Sequence, residues 1–215
     1  MGSEGSTVKE RLLKSATEVF GEFGFKGATI REICRRAGVG ISLVNYYFRD
    51  KEGLYLEVYR ELFTGAIREY PPDMGLDENA VPEDRLSAFI RSFLYRMTMV
   101  GGRHSLIMRE LLDPSPSLIR LHRELAMPLQ KTLTEILTEL LDPQCCEEDL
   151  GYCATSIIGQ CMFYGPSTQR FRQRIFSLDS DEKIELVTSI ITAFSLGGIR
   201  AINEKEHTKG VIHEA

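Results

Sequence analysis

The sequence predicts an all-α fold of about nine helices, built as a small N-terminal head followed by a larger helical domain. Three observations carry this. Apolar residues recur at the three-to-four spacing of an amphipathic helix in segment after segment from Thr7 to Asn203. No segment alternates apolar and polar residues between turn signals, as a half-buried strand would. Glycine and proline punctuate the segments at Gly24, Gly38, Pro71-Pro72, Gly101-Gly102, Pro114, Pro143 and Gly165-Pro166.

Residues 1–6 are small and polar and read as a disordered tail. From Thr7, the positions Val8, Leu12, Ala16, Val19, Phe20 and Phe23 form one apolar stripe, and Gly24 supplies a left-handed stop. Thr29 is an N-cap, with Glu32 three residues on to complete a capping box for a short second helix. Ile30, Ile33, Cys34 and Ala37 are its inner face, and Gly38 ends it. A third short helix covers about Ser42 to Tyr47. Asp50 caps a fourth, Lys51 to Glu69, with Leu54, Tyr55, Val58, Leu62 and Ala66 inward. Tyr70 to Pro82 is a polar, acidic linker or exposed loop. Helix five runs from about Glu83 to Val100, and helix six from about His104 to Leu112. The long helix seven, Ser117 to Leu141, should be kinked at Pro128, whose ring blocks a backbone hydrogen bond. Helix eight spans Glu147 to Tyr164. Ser167 to Ser180 reads mostly as loop, helix nine as Asp181 to Asn203, and residues 205–215 as a polar tail.

At 43% apolar and 27% charged, the composition excludes wholesale disorder, a collagen-like repeat and a disulfide-stapled mini-protein. No uninterrupted apolar run approaches the ~18 residues of a membrane span, so no membrane partner is expected. Met1 to Ser6 lack the cationic start and apolar core of a secretory signal, and a cytoplasmic location is expected. The net charge of −5 hides a split: residues 1–60 hold 10 Lys/Arg against 8 Asp/Glu, whereas residues 61–215 hold 16 against 23. Such an asymmetry suggests two jobs in one chain. Cys34 falls in an apolar stripe. Cys145, Cys146, Cys153 and Cys161 cluster, but no histidine lies near them in sequence, so buried or incidental thiols are expected rather than a metal or redox site. No catalytic motif of the G-x-S-x-G or H-E-x-x-H kind and no phosphate-cradling glycine loop occurs; no enzyme activity, cofactor or metal is expected.

Helix two, the turn Ala37-Gly38-Val39-Gly40 and helix three have the proportions of a helix-turn-helix. In that motif the second helix enters the major groove of DNA. Val44 and Phe48 give helix three its inward face, leaving Ser42, Leu43, Asn45 and Tyr46 outward. Asn can pair with adenine and Leu can touch a thymine methyl. Tyr47 and Lys51 stand where a hydroxyl and an ammonium could bind phosphates.

These residues closely resemble the TetR family of transcriptional repressors. Thr29, Ile33, Ala37-Gly38-Val39, Tyr47-Phe48, Lys51 and Leu54 match its pattern, and Ala16, Phe20, Gly24 and Gly27 match its first helix and exit. The resemblance implies that Thr29 caps helix two and binds a phosphate and that Arg31 reaches a base edge. It also implies that Ser42, Leu43, Asn45 and Tyr46 occupy recognition positions and that Tyr47 and Lys51 clamp phosphates. Three positions depart from the pattern: Cys34 for a common Ala, Gly40 for a capping Ser, and Asn45 where a Tyr is common. The run from His104 to Pro116, and Ile158 to Tyr164, resemble the C-terminal domain of the family's CecR-like subgroup, which dimerises and is thought to sense small molecules.

The expected domains are therefore a helix-turn-helix head over residues 7–53 and a ligand-binding and dimerisation domain over 54–204, linked by helix four. Ile157, Ile158 and Met162 on helix eight, with Val187, Ile190, Ile191 and Phe194 on helix nine, are expected at a four-helix homodimer core; the alternative is burial within the chain. Phe93, Met97, Met108, Met127, Met162 and Phe163 could line an apolar effector pocket or be plain core. Arg109 and Glu110 could hold a polar effector group or form a buried ion pair, and His104 could join the pocket or cap a helix. The function expected is a repressor that binds a palindromic double-stranded operator as a homodimer and is released by a small molecule. The alternative is a DNA-binding regulator without small-molecule control.

Overall fold

The computed structural model describes residues 7–77, 79–98, 115–164 and 178–213. Among these residues there are eight helices and no strand: α1 (Val8–Gly27), α2 (Ile30–Ala37), α3 (Ile41–Phe48), α4 (Lys51–Glu69), α5 (Pro82–Thr98), α6 (Pro116–Leu140), α7 (Glu147–Phe163) and α8 (Asp181–His213). The helix expected over His104 to Leu112 lies outside the described residues. α8 continues past its expected end at Asn203, because Glu204, Lys205 and Glu206 are good helix formers and polarity alone does not stop a helix.

The chain divides into two compact units. The described residues of the first are 7–65 and 115–125, so the head keeps most of α4 and adds the first turns of α6. Its core joins Leu12, Ala16, Val19 and Phe20 of α1 to Ile33, Cys34 and Ala37 of α2 and to Val44 and Phe48 of α3. Leu54, Tyr55, Val58 and Tyr59 of α4 and Leu118 and Leu121 of α6 close it. Burying such side chains is the main stabilising term of so small a body. Thr7 begins α1 with a complete capping box: its hydroxyl accepts from the Glu10 N–H and the Glu10 carboxylate accepts from the Thr7 N–H. Gly24 takes a left-handed φ of 67°, yet the helix resumes beyond it to Gly27, so the glycine kinks the helix and does not end it. The kink brings Phe25 inward, 6.2 Å from Phe20 and 5.0 Å from Tyr55 between ring centroids. Phe23, expected on the buried stripe, is exposed instead, with the Arg36 guanidinium over its ring. Between α4 and α6, Tyr59 Oη and His122 Nδ1 share a hydrogen bond of 2.6 Å.

The described residues of the second unit are 66–77, 79–98, 126–164 and 178–213. Leu86, Phe89, Ile90 and Leu94 of α5 pack with Leu133, Ile136 and Leu137 of α6, Ile157 and Cys161 of α7, and Ile184, Ile191 and Ile199 of α8. Ion pairs Arg85–Glu139 (2.7 Å) and Arg91–Glu185 (2.8 Å) flank this core. Asn203 finishes α6: its side-chain NH2 donates to the Leu140 carbonyl and its oxygen accepts from the Asp142 N–H. α6 runs through Pro128 as one helix. Proline has no N–H to offer the preceding turn, so the helix is weakest there. The stretch Asp181–Glu204 of α8 is, by length and composition, apolar enough to cross a membrane, which a search for uninterrupted runs misses. Ile184, Thr188, Ile191, Ser195 and Ile199 are nevertheless buried inside the protein, while most of the rest of that stretch is exposed or half-exposed.

Candidate functional site

The head presents α3 on a rigid corner. α2 ends at Gly38, in the left-handed conformation (φ 66°), and the Val39 N–H donates back to the Cys34 carbonyl at 3.0 Å. Gly40 starts α3 without a side-chain cap. Val44 and Phe48 anchor α3 in the core, leaving Ile41, Ser42, Asn45 and Tyr46 together on the outer face. Tyr46 is 79% exposed, and Tyr47 stands edge-on to it at 4.9 Å. Leu43, expected outward, is half-buried against the head core. One position from Val44, it sits at the shoulder of the buried face, and Ile41 takes the outward apolar position that the sequence reading missed. An apolar residue one turn before Asn45 was the available signal.

The corner between α3 and α4 is tight. Arg49 takes a positive φ of 74° with its N–H on the Asn45 carbonyl, a conformation costly for a non-glycine residue. Asp50 Oδ1 accepts from the Gly53 N–H at 2.8 Å and caps α4. A Cβ on Gly53 would lie 2.0 Å from the Phe48 carbonyl oxygen, so only glycine fits. This corner fixes Tyr47 and Lys51 on either side of one turn. The Lys51 ammonium, at the positive end of the α4 dipole, lies 4.7 Å from the Phe25 ring centroid, and the ring face offsets the dipole's repulsion.

The head's acids are mostly consumed on its own scaffold. Glu32 accepts from Arg35 at 2.7 and 2.8 Å and from Arg36 at 2.8 Å, and those hydrogen bonds hold its carboxyl down to about 2. Arg36 also grips Glu22 bidentately, and Lys9 pairs with Glu57. Since Glu32 turns towards these arginines, only half of the expected capping box forms: the Thr29 hydroxyl accepts from the Glu32 N–H at 3.2 Å. That leaves the Thr29 O–H free to donate outward. Arg31 and Arg49 are exposed and form no ion pair among the described residues. Thr29, Arg31, Ser42, Asn45, Tyr46 and Tyr47 thus lie on the surface of α2, α3 and their flanks with cations unneutralised beside them.

In the second unit, Met97 is buried, Phe93 and Met162 are half-buried, and Phe163 and Met127 are exposed. His104, Met108, Arg109 and Glu110 lie outside the described residues. The residues expected between subunits divide. Ile157 and Ile191 are buried in the chain's own core and Ile158 and Val187 pack beside them, whereas Ile190 and Phe194 face outward. The reason is that α7 and α8 are apolar on two sides. Outward with Phe194 (73% exposed) lie Leu186, Ala193, Gly197 and Gly198 on α8, and Tyr152, Ser156, Gly159 and Phe163 on α7. Leu186 and Tyr152 escaped the sequence reading. So did Arg96, buried in this unit on α5.

Residues 12–58 match the model of the bacterial regulatory proteins of the tetR family, and residues 82–199, more than half of the chain, match that of the C-terminal domain of the HTH-type transcriptional dual regulator CecR. The chain belongs to the TetR family, with a CecR-type C-terminal domain. It is similar to CecR of Shigella flexneri, 27% identical over 206 residues that span 89% of this chain and 91% of that one. Its fold is shared with a transcriptional regulator from Rhodococcus sp. Rha1 (TM-score 0.67, 21% identity, 89% and 97% of the chains covered). The fold is also that of FadR from Bacillus subtilis, solved in complex with stearoyl-CoA (TM-score 0.70, 18% identity, 88% and 98% covered).

As a TetR-family member, the protein is a DNA-binding transcriptional regulator and not an enzyme. The tetR match spans α1 to the start of α4 and the CecR match spans α5 to α8. The later cysteines have no metal-binding neighbours: no group of three or more His, Cys, Asp or Glu is placed to hold an ion among the described residues. Burial pushes the Cys153 and Cys161 thiols up, Cys161 to about 12, so both stay protonated.

Proposed function

We propose that this TetR-family regulator is a cytoplasmic repressor that binds a palindromic operator as a homodimer and releases it when a small molecule occupies the second unit. The observation that carries the reading is the outer face of α3. Ile41, Ser42, Asn45 and Tyr46 form one exposed patch on a helix short enough to lie in a major groove, with Arg31, Arg49 and Lys51 around it and Glu22, Glu32 and Glu57 paired on the scaffold. In this reading Asn45 and Ile41 meet base edges, and Arg31 meets an edge from α2. Thr29, Tyr47 and Lys51 donate to phosphates on either side.

The homodimer is supported by the outward face of α7 and α8. Phe194, Leu186, Ile190, Tyr152 and Phe163 are too many large apolar side chains to leave wet on a single chain. The glycines and serines between them allow helices to approach closely. Two copies would form a four-helix interface and set two recognition helices at half-sites about one DNA turn apart. Effector control is supported by FadR, which shares the fold and holds stearoyl-CoA. It is supported too by two helices, α4 and α6, that run from the first unit into the second and give an effector covalent routes to the head.

The reading is tested by selecting random-sequence DNA duplexes with the purified protein. A two-fold symmetric site is expected, and its absence would sink the proposal. On that site, Lys51→Ala should weaken binding and lower the slope of log affinity against log salt by about one unit. Asn45→Ala should relax base preference at one position of each half-site, at about 1–3 kcal/mol.

A further inference from the structure

Arg96 is buried deep in the second unit, 6% exposed, and both terminal nitrogens of its guanidinium lack a hydrogen-bond partner among the described residues. A charge taken from water without compensation is among the costliest arrangements a protein core can hold. Its surroundings do not repay the cost. The ring of Phe93 lies 5.7 Å from Cζ. The charge that Arg96 feels most is that of Cys161, which burial keeps protonated and so neutral. Of the acids on the neighbouring helices, Glu139 is paired with Arg85 and Glu185 with Arg91, and none among the described residues pairs with Arg96. Burial pulls the Arg96 guanidinium down to about 10, which still leaves it charged at neutral pH. In a chain with more acidic than basic residues, a buried arginine without a counter-ion among the described residues is not a default of composition.

We propose that Arg96 is the anchor of the effector site, and that the effector is an apolar monocarboxylate whose carboxylate docks on the guanidinium fork while its hydrocarbon lies in the apolar core beside Phe93. The proposal rests on the reading that the second unit binds an effector. A guanidinium presents two parallel N–H donors that match a carboxylate, and the pair gains strength where water is excluded. One cation balances one negative charge, which favours a monoanion over a phosphate dianion. The hydrocarbon body follows from the absence, among the described residues, of any second unpaired charge in this core. The free protein bears an uncompensated charge and the occupied one does not, so the anion stabilises the occupied state far more than its apolar contacts alone would.

The probes are decanoate and 2-naphthoate, each against its neutral alcohol and primary amide, with thermal shift and operator release read on the same full-length samples. Wild type should be stabilised by the carboxylates and not by the neutral analogues. Arg96→Met keeps the volume and removes the charge. It should melt higher than wild type when free, bind operator normally and lose the carboxylate response. Arg96→Lys keeps the charge without the fork and should bind the carboxylates on the order of tenfold more weakly. The proposal is overturned if no carboxylate stabilises wild type, or if Arg96→Met responds as wild type does. It is overturned equally if free Arg96→Met melts lower than wild type, because the guanidinium would then be satisfied in the free protein. Carboxylates that stabilise wild type through Arg96 without releasing operator leave the anchor standing and sink effector-controlled release. Release by a neutral analogue, unchanged in Arg96→Met, does the reverse.

Discussion

At the scale of the residue, the corner between α3 and α4 depends on one missing atom. Gly53 sits where any Cβ would enter the Phe48 carbonyl oxygen, at 2.0 Å, and that oxygen belongs to backbone that cannot swing aside. Gly53→Ala must therefore push α4 away from α3, undoing the Asp50 cap and shifting Lys51 relative to Tyr47. Overpacking of this kind costs typically ~1–3 kcal/mol. The melting temperature should fall clearly in a thermal unfolding scan, and operator affinity should fall with it. An unchanged melting temperature would show that the corner relaxes freely and that the close approach is not a constraint. Nothing in the residue string marks Gly53 as special, because a glycine three positions into a helix reads as a mere weakness. The outer face of α3 was legible in most positions, since Val44 and Phe48 four apart fix its rotation. Ile41 and Leu43 exchanged roles because each lies within a turn of that boundary. Arg96 was hidden for a different reason: a single arginine on an amphipathic helix reads as solvated, and only packing shows otherwise.

At the scale of the element, α8 carries two apolar faces, and the proposed dimer assigns them to different partners. Ile184, Ile191 and Ile199, at intervals of seven and eight, look into the chain's own core, while Leu186, Ile190 and Phe194 look outward. Helical spacing predicted the existence of α8 and its apolar character, but a helix apolar on two sides does not say which stripe is which. That is why Ile157 and Ile191 stood among the residues expected between subunits. The difference can be measured. Phe194→Arg places a charge in the centre of the outward face without touching the core. The helical circular dichroism should stay intact while sedimentation shows a shift from dimer to monomer. Operator affinity should drop on the order of 100-fold, because two tethered heads bind one palindrome with an effective concentration that separate heads lack. A variant that remains dimeric would place the interface elsewhere on the molecule.

At the scale of the whole molecule, the two units have separate cores, and among the described residues only that of the first touches a histidine. His122 lies on the part of α6 that belongs to the head, hydrogen-bonded to the buried Tyr59 and edge-on to Phe63 at 5.7 Å, with the Arg60–Glu124 ion pair one turn away. Burial lowers its pKa below the ordinary 6.5. The unfolded chain therefore takes up a proton as the pH falls below about 6.5 while the folded head still resists it, and folding loses free energy over that interval. Above neutrality both states carry a neutral ring and the effect vanishes. The core of the second unit contains no histidine among the described residues, so acidification from pH 7.5 to 5.5 should loosen the head selectively. Hydrogen exchange, corrected for intrinsic rates, should show lost protection at 54–63 and 118–122 relative to 133–141 and 184–199. His122→Gln can keep a hydrogen bond to Tyr59 but does not titrate, and it should remove the difference. If the glutamine variant shows the same pH dependence, the loosening arises from another group and His122 has no part in it.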